Sequence, residues 1–131
     1  MSSERARRRA AGPLAVFIAD DQPEVRSAMR LVVGQLVGYR VAGEAADISQ
    51  MLALVAAEPP DVVLLDWELP GGFPADSRML AELRANASGL RVVVMSARDG
   101  SRIEAIDGGA DAFVSKGDSP RRLIEVLDEL W

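Results

Sequence analysis

Leu14-Ala15-Val16-Phe17-Ile18-Ala19 is six apolar residues in a row, with no polar position to turn toward water. A strand of that kind has to be covered on both faces, as in a parallel α/β sheet flanked by helices. The rest of the chain extends the pattern. Further short strands are expected at Tyr39–Ala45, Val62–Leu65, Arg91–Met95 and Ala112–Ser115, separated by segments whose apolar residues recur at helical spacing. Pro23 starts the first such segment, Val25, Met29, Val32, Val33 and Leu36 form its stripe, and Gly38 is placed to end it. Asp47 with Gln50 three residues on resembles a capping box, and Pro59-Pro60 stops the helix it opens. A loop carrying Pro70, Gly71, Gly72 and Pro74 precedes a third helix over roughly Asp76 to Asn86, with Met79, Leu80 and Leu83 inward. The fourth helix is expected over Ile103 to Gly108, and Ser119-Pro120 opens the fifth, whose stripe is Leu123, Leu127 and Leu130. Five strands alternating with five helices predict an α/β fold with a five-stranded, doubly wound parallel sheet and right-handed crossovers.

At 131 residues and 49% hydrophobic content, the chain suits one domain with a substantial core, expected over residues 14–131. Four arginines against Glu4 give residues 1–13 a charge of +3, leaving −8 on the rest of a chain whose total is −5. The short basic segment reads as a disordered arm closed by Gly12-Pro13, and the acidic body is a poor match for a polyanion. No apolar run is long enough to span a bilayer and no signal-peptide pattern is present, so a cytoplasmic location with no membrane partner is expected. The chain has no Cys and no His, which excludes disulfides, thiolate or imidazole metal sites, and histidine acid–base chemistry.

What the strands run into is more specific than the strands themselves. The first ends in Asp20-Asp21, the third in Asp66, the fourth in Ser96 and the fifth in Lys116. In an open parallel sheet, chemistry collects outside the carboxyl ends of the strands. Adjacent acids raise each other's proton affinity unless a cation lies between them, and three converging carboxylates suit Mg²⁺ with its preference for oxygen ligands. Lys116 is the only lysine among fifteen basic residues, a compact point charge in a chain that otherwise uses Arg. Ser96 adds a hydroxyl able to donate to a phosphoryl oxygen. The set describes a site for a divalent cation and a phosphoryl group.

Ile18-Ala19-Asp20-Asp21, Leu64-Leu65-Asp66-Trp67-Glu68-Leu69-Pro70-Gly71-Gly72, Val94-Met95-Ser96-Ala97 and Gly109 to Lys116 together resemble the receiver domain of two-component response regulators, a flavodoxin-like (βα)5 fold. The resemblance covers residues 14–131. It implies that Asp66 is the phosphoacceptor and that Asp21 and Asp66 bind Mg²⁺ directly, with the Glu68 carbonyl as a further ligand and Asp20 acting through a coordinated water. It further implies that Ser96 is the switch hydroxyl, Phe113 the switch aromatic and Lys116 the group that grips the phosphate. Such a domain is a signalling phosphoacceptor, not an enzyme in the ordinary sense. Gly117 stands where receivers of the chemotaxis type carry proline, and the run from Lys116 to Pro120 is closer to receivers of the nitrate-response type. Glu68 and Arg98, two residues beyond Asp66 and Ser96, are expected to pair across the site and tune the phosphoryl lifetime.

The expected partners are a sensor histidine kinase or histidine phosphotransfer protein, with a homodimer through the fourth-helix, fifth-strand and fifth-helix face as an option. No DNA-binding domain is expected within these residues. Val126, Leu127, Leu130 and Trp131 place more apolar surface on the last helix than one stripe needs, so part of it is expected to meet another protein. Two other classes fit less well. A haloacid-dehalogenase-type phosphohydrolase needs Asp-x-Asp after its first core strand, whereas Asp66-Trp67-Glu68 follows the third. Gly71-Gly72 makes no phosphate cradle, against a nucleotide-binding module. A receiver-fold interaction module that works without phosphorylation is the remaining rival; its usual mark is a lost site residue, and every site residue is present.

Overall fold

A computed structural model describes residues 12–71 and 76–131. The basic arm expected over residues 1–13 lies outside them except for Gly12 and Pro13, as do Gly72 and Pro74 of the loop after the third strand. Five strands, β1 (Leu14–Ala19), β2 (Tyr39–Ala45), β3 (Val62–Asp66), β4 (Arg91–Ser96) and β5 (Ala112–Ser115), form one parallel sheet in the order β2-β1-β3-β4-β5. They alternate with helices α1 (Pro23–Gly34), α2 (Ile48–Ala57), α3 (Ser77–Ala85), α4 (Ser101–Asp107) and α5 (Pro120–Leu130).

The apolar runs are explained by two cores, one on each side of the sheet. Leu14, Val16, Ile18, Val62, Leu64, Val93, Met95 and Val114 point to the side covered by α1 and α5. The intervening Phe17, Ala19, Val63, Leu65, Val92, Val94 and Phe113 point to the side holding α2, α3 and α4. Side chains alternate across a strand, so along β1 and β3 no position faces water. In the middle of the sheet β3 is buried along its whole length. Trp131 with Val126 and Leu127 completes the α1/α5 core, where the Trp131 ring lies under the Arg91 guanidinium. The apolar excess on α5 is therefore spent inside the domain. That corrects the expectation of a partner-facing surface there: a stripe as wide as α5's is what filling one side of a sheet requires.

Local chemistry sets the boundaries. Asp47 caps α2 by accepting from the Gln50 amide at 2.8 Å, while Gln50 Oε1 accepts from the Ala46 amide at 2.9 Å. Asp76 caps α3 through the amides of Arg78 and Met79. Helix α1 ends at Gly34, four residues before the glycine expected to end it; Gly38, at φ +90°, instead closes the turn into β2. Helix α4 begins at Ser101, two residues earlier than its apolar pattern suggested. Gly71 has φ +110°, and a Cβ there would lie 2.8 Å from Asp47 Cβ. The adjacent Pro70 carbonyl accepts from the Ile48 amide at 2.8 Å, so the loop leaving β3 is clasped against the head of α2.

Candidate functional site

The register carries the strand ends to one place. Ala19 pairs with Leu65, Asp66 with Met95 and Ser96 with Ser115, so Asp20, Asp66, Ser96 and Lys116 emerge side by side at the carboxyl edge. The strand order reverses between β1 and β3, which makes the carboxyl edge there the switch point of the sheet.

Asp20 and Asp66 are built alike. In each, Oδ1 accepts from the amide two residues on, Gln22 N or Glu68 N, both at 2.9 Å. In each, Oδ2 turns to Lys116 Nζ, at 2.8 Å from Asp20 and 3.3 Å from Asp66. The Lys116 amide donates to the Ser96 carbonyl at 2.9 Å, fixing the lysine's root beside β4. One hop further, the Gly117 amide donates to Ser115 Oγ at 3.3 Å, a bond that proline in that place could not make.

Both acids are enclosed, Asp20 at 0% and Asp66 at 2% exposure, while Asp21 is exposed. Burial pushes the Asp66 carboxyl up to about 6, with the Asp20 charge adding to the rise; the Glu68 amide and Lys116 oppose it without cancelling it. For Lys116 burial works downward, but contact with Asp20 and the charges of Asp66 and Asp20 outweigh it and hold the ammonium above its ordinary value. One ammonium thus serves a cluster that contains more negative charge than it can neutralise.

A carboxylate oxygen from each of Asp20, Asp21 and Asp66 lies within 4.8 Å of the other two. Asp20 Oδ2 is fully buried, and its neighbour is the Lys116 ammonium at 2.8 Å. An all-oxygen set of three carboxylates facing a single ammonium fits a hard divalent cation such as Mg²⁺.

Around this centre, Ser96 is buried and its hydroxyl meets the Glu68 carboxylate, with Oγ 2.9 Å and 3.0 Å from its two oxygens. Arg98 reaches the same carboxylate at 3.3 Å, so the two residues do lie together across the site. Phe113 is already inside the α2/α3/α4 core at 7% exposure. Four contacts were not visible in the sequence. Arg26 donates to the Asp20 carbonyl at 2.7 Å and pairs with Glu44; its place one turn into α1 was the available signal. Ser101 Oγ lies 3.4 Å from Ser96 Oγ, and Trp67 Nε1 donates to Glu104 at 3.2 Å, pairings that depend on how α4 docks.

Comparison with known proteins gives this arrangement relatives. The family model for the response regulator receiver domain matches residues 16–128. The Bacillus subtilis transcriptional regulatory protein YxjL is 31% identical over 116 residues, covering 86% of this chain and 51% of that protein. Among solved structures, the signal receiver domain of a Mycobacterium tuberculosis response regulator designated NarL superposes with a TM-score of 0.80 at 30% identity, covering 91% of this chain and 97% of that one. A DNA-binding response regulator of the LuxR family from Staphylococcus aureus gives 0.78 at 26%, covering 89% and 98%. The chain spans about half the length of the curated relatives it matches. These relatives correct the expected partner set, which held a kinase or phosphotransfer protein and a second copy through the α4-β5-α5 face but left DNA out. Proteins similar to this chain include a DNA-binding response regulator and a transcriptional regulatory protein, and the match spans about half of the curated relatives. Among the described residues no helix is long and apolar enough to cross a membrane.

Proposed function

The chain belongs to the response regulator receiver domain family, and from that premise we propose that Asp66 accepts a phosphoryl group in a Mg²⁺-dependent reaction that switches the state of the domain. The observation that carries this reading is Lys116 Nζ lying between the buried carboxylates of Asp20 and Asp66, beside the exposed Asp21. Asp66 Oδ2 attacks the phosphorus of a phospho-histidine or small acyl phosphate; the new O–P bond forms as the donor's bond to phosphorus breaks, and the leaving group departs with that electron pair. Lys116 moves from offsetting a carboxylate to offsetting phosphoryl oxygens, a change of partner that needs little movement. Asp21, Asp66 and the Glu68 carbonyl would hold Mg²⁺, with Asp20 acting through a water. The cation supplies positive charge to the transferring group when bound. Lys116 screens the charge of the attacking Asp66 carboxylate from a dianionic donor.

Like its relatives, the domain would act on a DNA-binding output, with Ser96 and Phe113 relaying the new charge on Asp66. Intact-mass measurement after incubation with acetyl phosphate and Mg²⁺ tests the chemistry. One added phosphoryl group is expected, absent without Mg²⁺ and absent in Asp66→Asn. Equal modification of the variant overturns the assignment.

A further inference from the structure

Ser96 does not wait at the site with a free hydroxyl. Its Oγ lies 2.9 Å and 3.0 Å from the two carboxylate oxygens of Glu68, 3.0 Å from the Arg98 amide that donates to it, and 3.4 Å from Ser101 Oγ. Ser96 is wholly buried. A hydroxyl has a single hydrogen, and the Arg98 amide already uses one of its lone pairs. With the Glu68 carboxylate accepting that hydrogen, nothing is left to donate to a phosphoryl oxygen. The carboxylate is itself steadied from the far side by the Arg98 guanidinium at 3.3 Å.

We propose that the Glu68 side chain is a built-in competitor for Ser96: an anionic acceptor that occupies the switch hydroxyl until Asp66 is phosphorylated, and that the phosphoryl group must displace. The inference rests on Asp66 being the phosphoacceptor. Carboxylate and phosphoryl oxygens make the same demand on a hydroxyl donor, so the two exclude each other at Ser96. The added charge on Asp66 also repels Glu68, whose own amide is bonded to Asp66 Oδ1. Glu68 is a positioning residue in this scheme. It acts through Ser96, and its side chain has no part in the transfer.

Two effects of Glu68 have to be told apart. Competition for the hydroxyl requires Ser96, whereas plain repulsion of an incoming anion does not. A double-mutant cycle separates them. Beryllofluoride with excess Mg²⁺ is titrated against the wild type, Glu68→Ala, Ser96→Ala and the double variant, following fluorescence of Trp67 next to Asp66. Releasing a hydrogen bond to a charged group is expected to tighten beryllofluoride binding about tenfold in Glu68→Ala. The gain should shrink below about threefold when Ser96 is already Ala. Glu68→Gln keeps the size of the side chain and guards against misfolding; its gain should be intermediate. A ligand-free readout accompanies these: the NMR resonance of the Arg98 amide, bonded to the same hydroxyl, should shift in both Glu68 variants. An equal gain with and without Ser96, or no gain, overturns the competitor. If the wild type binds no beryllofluoride, or Asp66→Asn binds it equally, the phosphoacceptor reading itself has failed.

Discussion

The two ends of the sheet use the same residue type to opposite effect. At the amino end, Asp61 accepts from the Ala15 amide and Asp111 from the Val92 amide, both at 2.7 Å, so each acid ties its loop to a strand start. Asp111 also meets Arg84 at 2.6 Å, a charge partner of its own. Neither acid belongs to the buried set. At the carboxyl end, Asp20 and Asp66 make comparable bonds to backbone amides, but they are enclosed and share Lys116. Amide bonds alone do not make a carboxylate reactive. Crowding it into a dry place with too little positive charge does. The amino end is stitched for stability, and the carboxyl end stores electrostatic tension that an incoming cation or phosphoryl group relieves.

The contrast breaks most sharply at Lys116. Lys116→Met should cost on the order of 3 kcal/mol in urea melts of the metal-free protein at pH 7, because two buried acids lose their common counter-charge. Lowering the pH, which protonates Asp66, should return part of that loss. A neutral result at pH 7 would mean that the carboxyl end is not strained.

Asp66→Asn should move stability the other way. Burial pushes the folded carboxyl up to about 6 from its ordinary 3.8, so between those values the folded state binds more protons than the unfolded one. Stability of the metal-free wild type should therefore fall as pH rises from about 4 through 6, by on the order of 2 kcal/mol. Asp66→Asn should lack that decline and be the more stable protein at pH 7. Adding Mg²⁺ should stabilise the wild type at pH 7 and leave the variant much less affected. Thermal melts across this pH range, with and without the cation, check both statements.

The smallest effect belongs to the amino end. Asp111→Ala removes the acceptor for the Val92 amide and the partner of Arg84, and should cost about 1 kcal/mol. Phosphoryl uptake from acetyl phosphate should be unchanged. A loss of uptake here would show that the two ends are not separable.

The strands were legible because burial on both faces leaves no choice of residue: apolar runs mark them, and their ends mark the site. Asp20, Asp66, Ser96 and Lys116 could be gathered from sequence because parallel strands in register bring their ends together without any knowledge of side-chain conformation. The end of α1 was misread because a glycine in left-handed conformation closes a turn as readily as a helix, and Gly38 does the former. Trp131 was misread because whether a terminal aromatic packs depends on the space left beneath β4. The Glu68–Ser96 bond was out of reach altogether. It depends on two rotamers across a gap, and sequence spacing carries no record of those.

Gly71 has a consequence for how this domain tolerates change. Loops leaving strands are ordinarily where a chain accepts almost any letter. Here the main chain sits so close to Asp47, in a backbone conformation so unwelcoming to side chains, that a saturation library should find one permitted residue. Five positions downstream of Asp66, at a place that contributes no functional group, the domain should be as intolerant as at the aspartate itself.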